Sequence, residues 1–140
     1  MRAYEISSPR VGSVIEVAEP VVGPNDLLVE VERVGICGTD VEFFNGDMAY
    51  LTTGEAHYPL RLGHEWCGRV LQVGSAVQKD WIGRLVTSDT MLGCQKCDRC
   101  TGGYQYLCSD RNEVGIRNGY AGALAEKLLI PENAVFELPS

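Results

Sequence analysis

The chain has 140 residues, 45% hydrophobic and 22% charged, with 16 glycines, six cysteines and a formal charge of -7. That length buries one core without staples, and the acidic balance argues against nucleic acid or an anionic membrane, both of which want a basic face. No apolar run approaches the roughly 18 residues of a membrane span, and residues 1–14 lack the apolar stretch of a signal peptide, so a cytoplasmic protein is expected.

Short strand-like runs broken by Gly, Pro and Asn fill most of the chain. Strands are predicted at residues 1–7, 13–19 and 27–36, the last mixing Leu28, Val29, Val31 and Val34 with Glu30, Glu32 and Arg33. The tetrad Gly23-Pro24-Asn25-Asp26 predicts the turn before it. A short helix over residues 40–45 would be capped by Thr39 or Asp40. Further strands are predicted at residues 65–73, 84–87, 124–130 and 135–138. The fold class is mainly β, a barrel or strongly curled sheet with short helices and a loop-rich lobe over residues 92–119. Periodicity does not decide barrel against sandwich.

In a reducing compartment six cysteines point to metal or catalysis rather than to disulfides. Cys94, Cys97, Cys100 and Cys108 have the spacing C-x2-C-x2-C-x7-C. Two-residue spacers turn successive thiolates toward one ion, and the longer loop brings the fourth around to close a tetrahedron. Lys96 and Arg99 between the ligands offset the thiolate charge. Four buried apolar cysteines would not be surrounded by Gln, Lys, Asp and Arg. Ferredoxin-type runs place the fourth Cys after three residues and before Pro, whereas here Ser109 follows it. Structural zinc is therefore predicted, in a closed site with no open position for chemistry.

Elsewhere, Gly35-Ile36-Cys37-Gly38-Thr39-Asp40 sets a Cys at the end of an apolar strand, and Leu62-Gly63-His64-Glu65 sets His beside Glu after a Gly. Cys, His and carboxylate are all zinc ligands, and three protein ligands with one open position make a catalytic site. From the residues alone the alternatives stay open, since a lone Cys also serves as a small buried hydrophobe and a lone His as scaffolding.

The motif order G-I-C-G-T-D, L-G-H-E, C-x2-C-x2-C-x7-C and Gly119-Tyr120-Ala121-Gly122-Ala123-Leu124-Ala125-Glu126 resembles the zinc-dependent medium-chain alcohol and polyol dehydrogenases over nearly the whole chain. The resemblance implies a GroES-like β-barrel substrate domain with a structural-zinc lobe and a catalytic zinc at a cleft facing a nucleotide-binding domain. Matched by motif, Cys37 and His64 are catalytic-zinc ligands, and Glu65 is either a third ligand or a carboxylate outside the ligand set. Asp40 matches the residue that orients the zinc-bound His, and Thr39 the hydroxyl that passes the substrate's proton outward. Where many simple-alcohol members have a His, this chain has Glu42; the string C-G-T-D-x-E is more like sugar and polyol members. The implied substrate is a small alcohol, polyol or sugar, with NAD or NADP as hydride acceptor. Cys67 is expected as a buried strand residue, with a ligand role as the alternative, and His57 as a surface residue, with a pocket role as the alternative.

No Gly-x-Gly-x-x-Gly follows a strand. The expectation is that residues 1–140 form one catalytic domain whose nucleotide-binding domain is absent, inactive alone, and self-associating through strand edges left unpaired. The competing reading is a stand-alone zinc-binding GroES-like interaction module. Such a scaffold has no use for the Cys37, Thr39, Asp40, His64 and Glu65 set.

Overall fold

The strand β3 (Asp26–Gly35) leaves the Gly23–Asp26 turn and runs antiparallel to β4 (Glu65–Val73) and to β8 (Lys127–Pro131). Paired on both sides, its first half is buried without a break at Leu27, Leu28 and Val29. In β4 the inward set is Trp66, Gly68 and Val70, the alternation that a half-buried strand requires. Leu27, Val29, Trp66 and Val70 form the main core with Val86, Leu128 and Ile130. The computed structural model describes residues 1–139.

The remaining strands are β1 (Arg2–Ser8), β2 (Val11–Glu16), β5 (Leu85–Ser88), β6 (Met91–Leu92), β7 (Asn112–Glu113) and β9 (Val135–Glu137). The five-stranded sheet has the order β8-β3-β4-β5-β9. Its two edge strands are joined only by the 3-10 turn Glu132–Ala134. In a flat sheet those edges would stand about 19 Å apart, yet the four residue steps from Pro131 to Val135 reach at most about 14 Å. The sheet must curl. Two register shifts where β3 meets β4, at Leu28/Val29 and Val31/Arg33, supply the bend. The curl of this mainly β sheet follows from connection length, which periodicity did not contain.

A smaller core gathers Ile6, Phe43, Leu60, Leu62 and Ile116 beneath α1 (Gly38–Asn45). The β1–β2 hairpin seats on it, with Ile6 and Leu60 exchanging backbone hydrogen bonds of 2.8 Å. Helix α1 stops at Gly46, whose φ of 88° is the left-handed cap that glycine takes without strain.

Several predicted boundaries move. The cap of α1 is Cys37, two residues before the expected Thr39, because Asp40 sits at the third helical position and reaches back to the Cys37 N–H. A second helix, α2 (Ala49–Thr53), was not foreseen. The strand expected from residue 124 pairs as a strand only from Lys127, although Leu124, Ala125 and Glu126 bond to β1 and β3 in passing. Strands β6 and β7 pair at the neck of the cysteine lobe, which carries α3 (Asp98–Thr101) and the 3-10 turn Gln105–Leu107. No helix among the described residues is long and apolar enough to cross a membrane.

Candidate metal centres

In the lobe the four predicted cysteines converge: the sulfurs of Cys94, Cys97, Cys100 and Cys108 all lie within 4.8 Å of one another. The Cys94–Cys100 and Cys97–Cys108 separations are both 3.9 Å. A tetrahedral zinc with Zn–S of about 2.3 Å needs edges of about 3.8 Å, so the cage has the dimensions of the ion. None of the cysteines is in a disulfide. Backbone N–H groups of Lys96 and Cys97 point at the Cys94 sulfur and bring its pKa down to about 6. Desolvation, with the neighbouring thiols, pushes Cys100 up to about 12. Thiols held in such conflict are resolved by a divalent cation, which takes all four as thiolates.

An arginine–glutamate ion pair anchors this lobe, and the sequence reading passed over it. Glu113, 4% exposed, accepts from Arg111 Nε at 2.7 Å and from the Tyr50 hydroxyl at 3.3 Å, while Arg111 also donates to the Cys108 carbonyl at 3.2 Å. The R-x-E spacing around Asn112 was its only trace in the sequence.

The second group is built from two chain segments. Strand β3 delivers Cys37 just past its end, and the segment entering β4 delivers His64. Gly63 makes the second delivery feasible. Its φ is 101°, and a Cβ there would lie 2.8 Å from the Leu124 amide nitrogen. Cys37 Sγ and His64 Nε2 are 3.0 Å apart. On the far side of the ring, His64 Nδ1 is 3.6 Å from Asp40 Oδ1, too long for a hydrogen bond. Both atoms are buried and otherwise without a partner. The other Asp40 oxygen, Oδ2, accepts the Cys37 N–H at 2.9 Å. One carboxylate, 4% exposed, therefore holds the helix start and also faces the side of the imidazole turned away from the thiol.

Cys37, Asp40 and His64 meet as a potential ligand group. In a tetrahedral zinc site thiolate and imidazole donors sit about 3.6 Å apart, so the thiol and ring have to part by roughly half an ångström to admit the ion. The donor types fit zinc, and the unmatched Nδ1 facing a buried carboxylate is the support a metal-bound His requires. Thr39 is half-buried at the second position of α1, and Glu42 is exposed on the same helix. Glu65 stands apart from the group, exposed, opposite Gly35 in the β3–β4 register with its carboxylate lying over that glycine. Cys67 is half-buried in β4 and joins neither group, and His57 is exposed.

The profile of the alcohol dehydrogenase GroES-like domain matches residues 23–140. The chain is 39% identical, over 99% of its length, to an L-threonine 3-dehydrogenase from Rhizobium rhizogenes, of which it covers 39%. Among solved structures it is similar to a dehydrogenase from Sinorhizobium meliloti bound to NADP, with a TM-score of 0.84 at 38% identity, covering 99% of this chain and 38% of that one. It also resembles galactitol-1-phosphate dehydrogenase from Escherichia coli, with a TM-score of 0.87 at 27% identity, covering 100% of this chain and 38% of that one. The chain thus spans about two fifths of the length of the relatives it matches.

Proposed function

The chain belongs to the zinc-dependent medium-chain dehydrogenases through its alcohol dehydrogenase GroES-like domain, and on that premise we propose that it is the zinc-holding substrate domain of an NAD- or NADP-dependent dehydrogenase of alcohols, polyols or sugars. The observation that carries this reading is the meeting of Cys37 Sγ and His64 Nε2 at 3.0 Å with the Asp40 carboxylate behind the ring. A scaffold that only displayed a surface would gain nothing from burying these groups together.

The residues divide the work. Cys37 and His64 would hold a zinc ion, which would supply the Lewis acid that lowers the pKa of a substrate hydroxyl. The Asp40 carboxylate, facing Nδ1 of His64, favours the tautomer that carries its proton there, which would leave the Nε2 lone pair directed toward the thiolate side. Thr39, two residues along α1 from Cys37, passes the hydroxyl proton outward. Glu65, which follows His64 directly, either joins the ligands or acts from just outside them. Cys94, Cys97, Cys100 and Cys108 hold a second, closed zinc whose role is to fold the lobe. The hydride acceptor is held by a nucleotide-binding domain, in keeping with relatives that are much longer than this chain.

Metal analysis tests the division. Purified from zinc-supplemented medium, the chain is expected to carry two zinc ions, and Cys37→Ala to carry one. Unchanged zinc content in Cys37→Ala would remove the catalytic centre and leave the non-catalytic module as the better reading.

A further inference from the structure

We infer that the outer edge of β2 is a self-pairing surface, on which a second copy of this chain adds antiparallel and extends the β1–β2 ribbon across a two-fold axis. The alternation of hydrogen bonds in the hairpin leaves that edge open. Met1 and Val17 exchange both of their backbone bonds, Met1 N to Val17 O at 2.8 Å and Val17 N to Met1 O at 2.9 Å. Bonded and non-bonded positions alternate along an antiparallel pair, so Ala3 with Ile15 and Glu5 with Ser13 are bonded pairs too. Arg2, Tyr4 and Ile6 of β1 face the other way, and their backbone bonds go to Glu126, Leu124 and Leu60. Their register partners on β2 are Glu16, Val14 and Gly12. The N–H and C=O groups of these three therefore point away from β1. Among the described residues β2 pairs with β1 alone, and nothing bonds to those groups from the outer side.

The residues along that edge say what fits it. Antiparallel pairing centred on Val14 sets Val14 against the second copy's Val14, and Gly12 against its Glu16. Every outward N–H and C=O of both copies is then satisfied. Val11 meets Val17 in the same register, so apolar side chains face each other where the edge is most exposed; Val14 is 66% and Val11 54% exposed. Glu16, the one charge on the strand, falls opposite a glycine rather than opposite its own copy. The N-terminal amine also stands 3.5 Å from it, so an acidic chain meets little repulsion here. A centre at Ser13 would instead set Glu16 against Arg10, whose N–H is already given to the Phe44 carbonyl at 2.7 Å. Self-complementarity about a single residue is what a two-fold interface demands, and it favours a second copy over an unrelated strand. The other free strands are poorer templates: β9 has three residues, and in β8 the Leu129 carbonyl already accepts from the Tyr120 hydroxyl at 3.1 Å.

One strand edge buries little area, so the dimer belongs to the weak class and is sought from about ten micromolar to about one millimolar. Sedimentation velocity of the purified chain over that range is expected to show a reversible monomer–dimer equilibrium. Amide exchange should slow at Gly12, Val14 and Glu16 as concentration rises, while Ser13 and Ile15 are protected at every concentration. Val14→Pro removes an outward N–H and touches no β1–β2 bond, and it should weaken dimerisation by about tenfold or more. Val14→Thr keeps that N–H and a branched side chain, and should stay within about threefold of the parent. Cys37→Ala should dimerise as the parent does, which separates this edge from the fate of the proposed zinc centre. A chain that is monomeric throughout, or a dimer indifferent to Val14→Pro, would overturn the proposal. So would protection of the three outward amides that does not change with concentration, the result expected if another chain or a further segment covers the edge. Should Val14→Pro fail to fold, the concentration dependence at Gly12, Val14 and Glu16 decides it.

Discussion

Replacing Asp40 with Asn changes one atom of the buried carboxylate and tests the support of the second metal group directly. The side-chain oxygen of Asn can still accept the Cys37 N–H now held at 2.9 Å, so the start of α1 should survive. The amide nitrogen then takes the place of Oδ1, which lies 3.6 Å from His64 Nδ1. Two donors facing each other there push the imidazole toward the other tautomer, and the proton moves to Nε2, the atom 3.0 Å from Cys37 Sγ. A protonated Nε2 cannot ligate. Loss of such a supporting carboxylate weakens metal binding by about 10–100-fold, or about 1.4–2.7 kcal/mol. Chelator competition on the purified chain measures this, with the cysteine lobe as internal control: its zinc should be retained at the parent affinity. Equal affinities of Asp40→Asn and parent for the weaker zinc would refute the reasoning, as would loss of both ions together.

Three further outcomes are expected. Cys97→Ser should remove the lobe's zinc and speed amide exchange over residues 94–108 while Val29 and Val70 stay protected, because the lobe has few apolar contacts of its own; stepwise chelation of the parent should strip the Cys37–His64 zinc first, since that group offers fewer thiolates. Gly63→Ala should destabilise the fold by about 2 kcal/mol or more in urea unfolding, as the φ of 101° and the 2.8 Å approach to Leu124 both oppose a Cβ. Tyr120 should ionise near pH 12, because desolvation first and then the Asp26 charge raise its pKa from 10. With the folded value above the unfolded one, its contribution to stability is full below pH 10 and is lost between pH 10 and 12. That loss amounts to about 3 kcal/mol, readable by phenolate absorbance alongside alkaline unfolding.

What the sequence by itself determined is what short-range chemistry controls. Cys94, Cys97, Cys100 and Cys108 were legible as one site because two-residue spacers leave few ways to aim the thiolates elsewhere. Strand β4 was legible to the residue: Glu65 and Arg69 point outward beside the inward Trp66 and Val70, and glycines at 63 and 74 bracket the run. Motif order carried Cys37 and His64 to a shared site through resemblance, but spacing could not join residues that lie 27 apart. That meeting depends on β3 and β4 pairing in register, with Gly35 opposite Glu65. The same register sends neighbours different ways: His64 turns to the thiol, while Glu65 lies exposed over Gly35. Asp40 entered the group because a carboxylate at the third position of a helix folds back on its cap, a local rule masked here because the cap is Cys37 rather than the expected Thr39 or Asp40. The order of strands in the sheet, the β6–β7 neck and the docking of Tyr50 on the Arg111–Glu113 pair had no local signature. Each is made by segments distant in the chain, and only the packed sheet decides which of them meet.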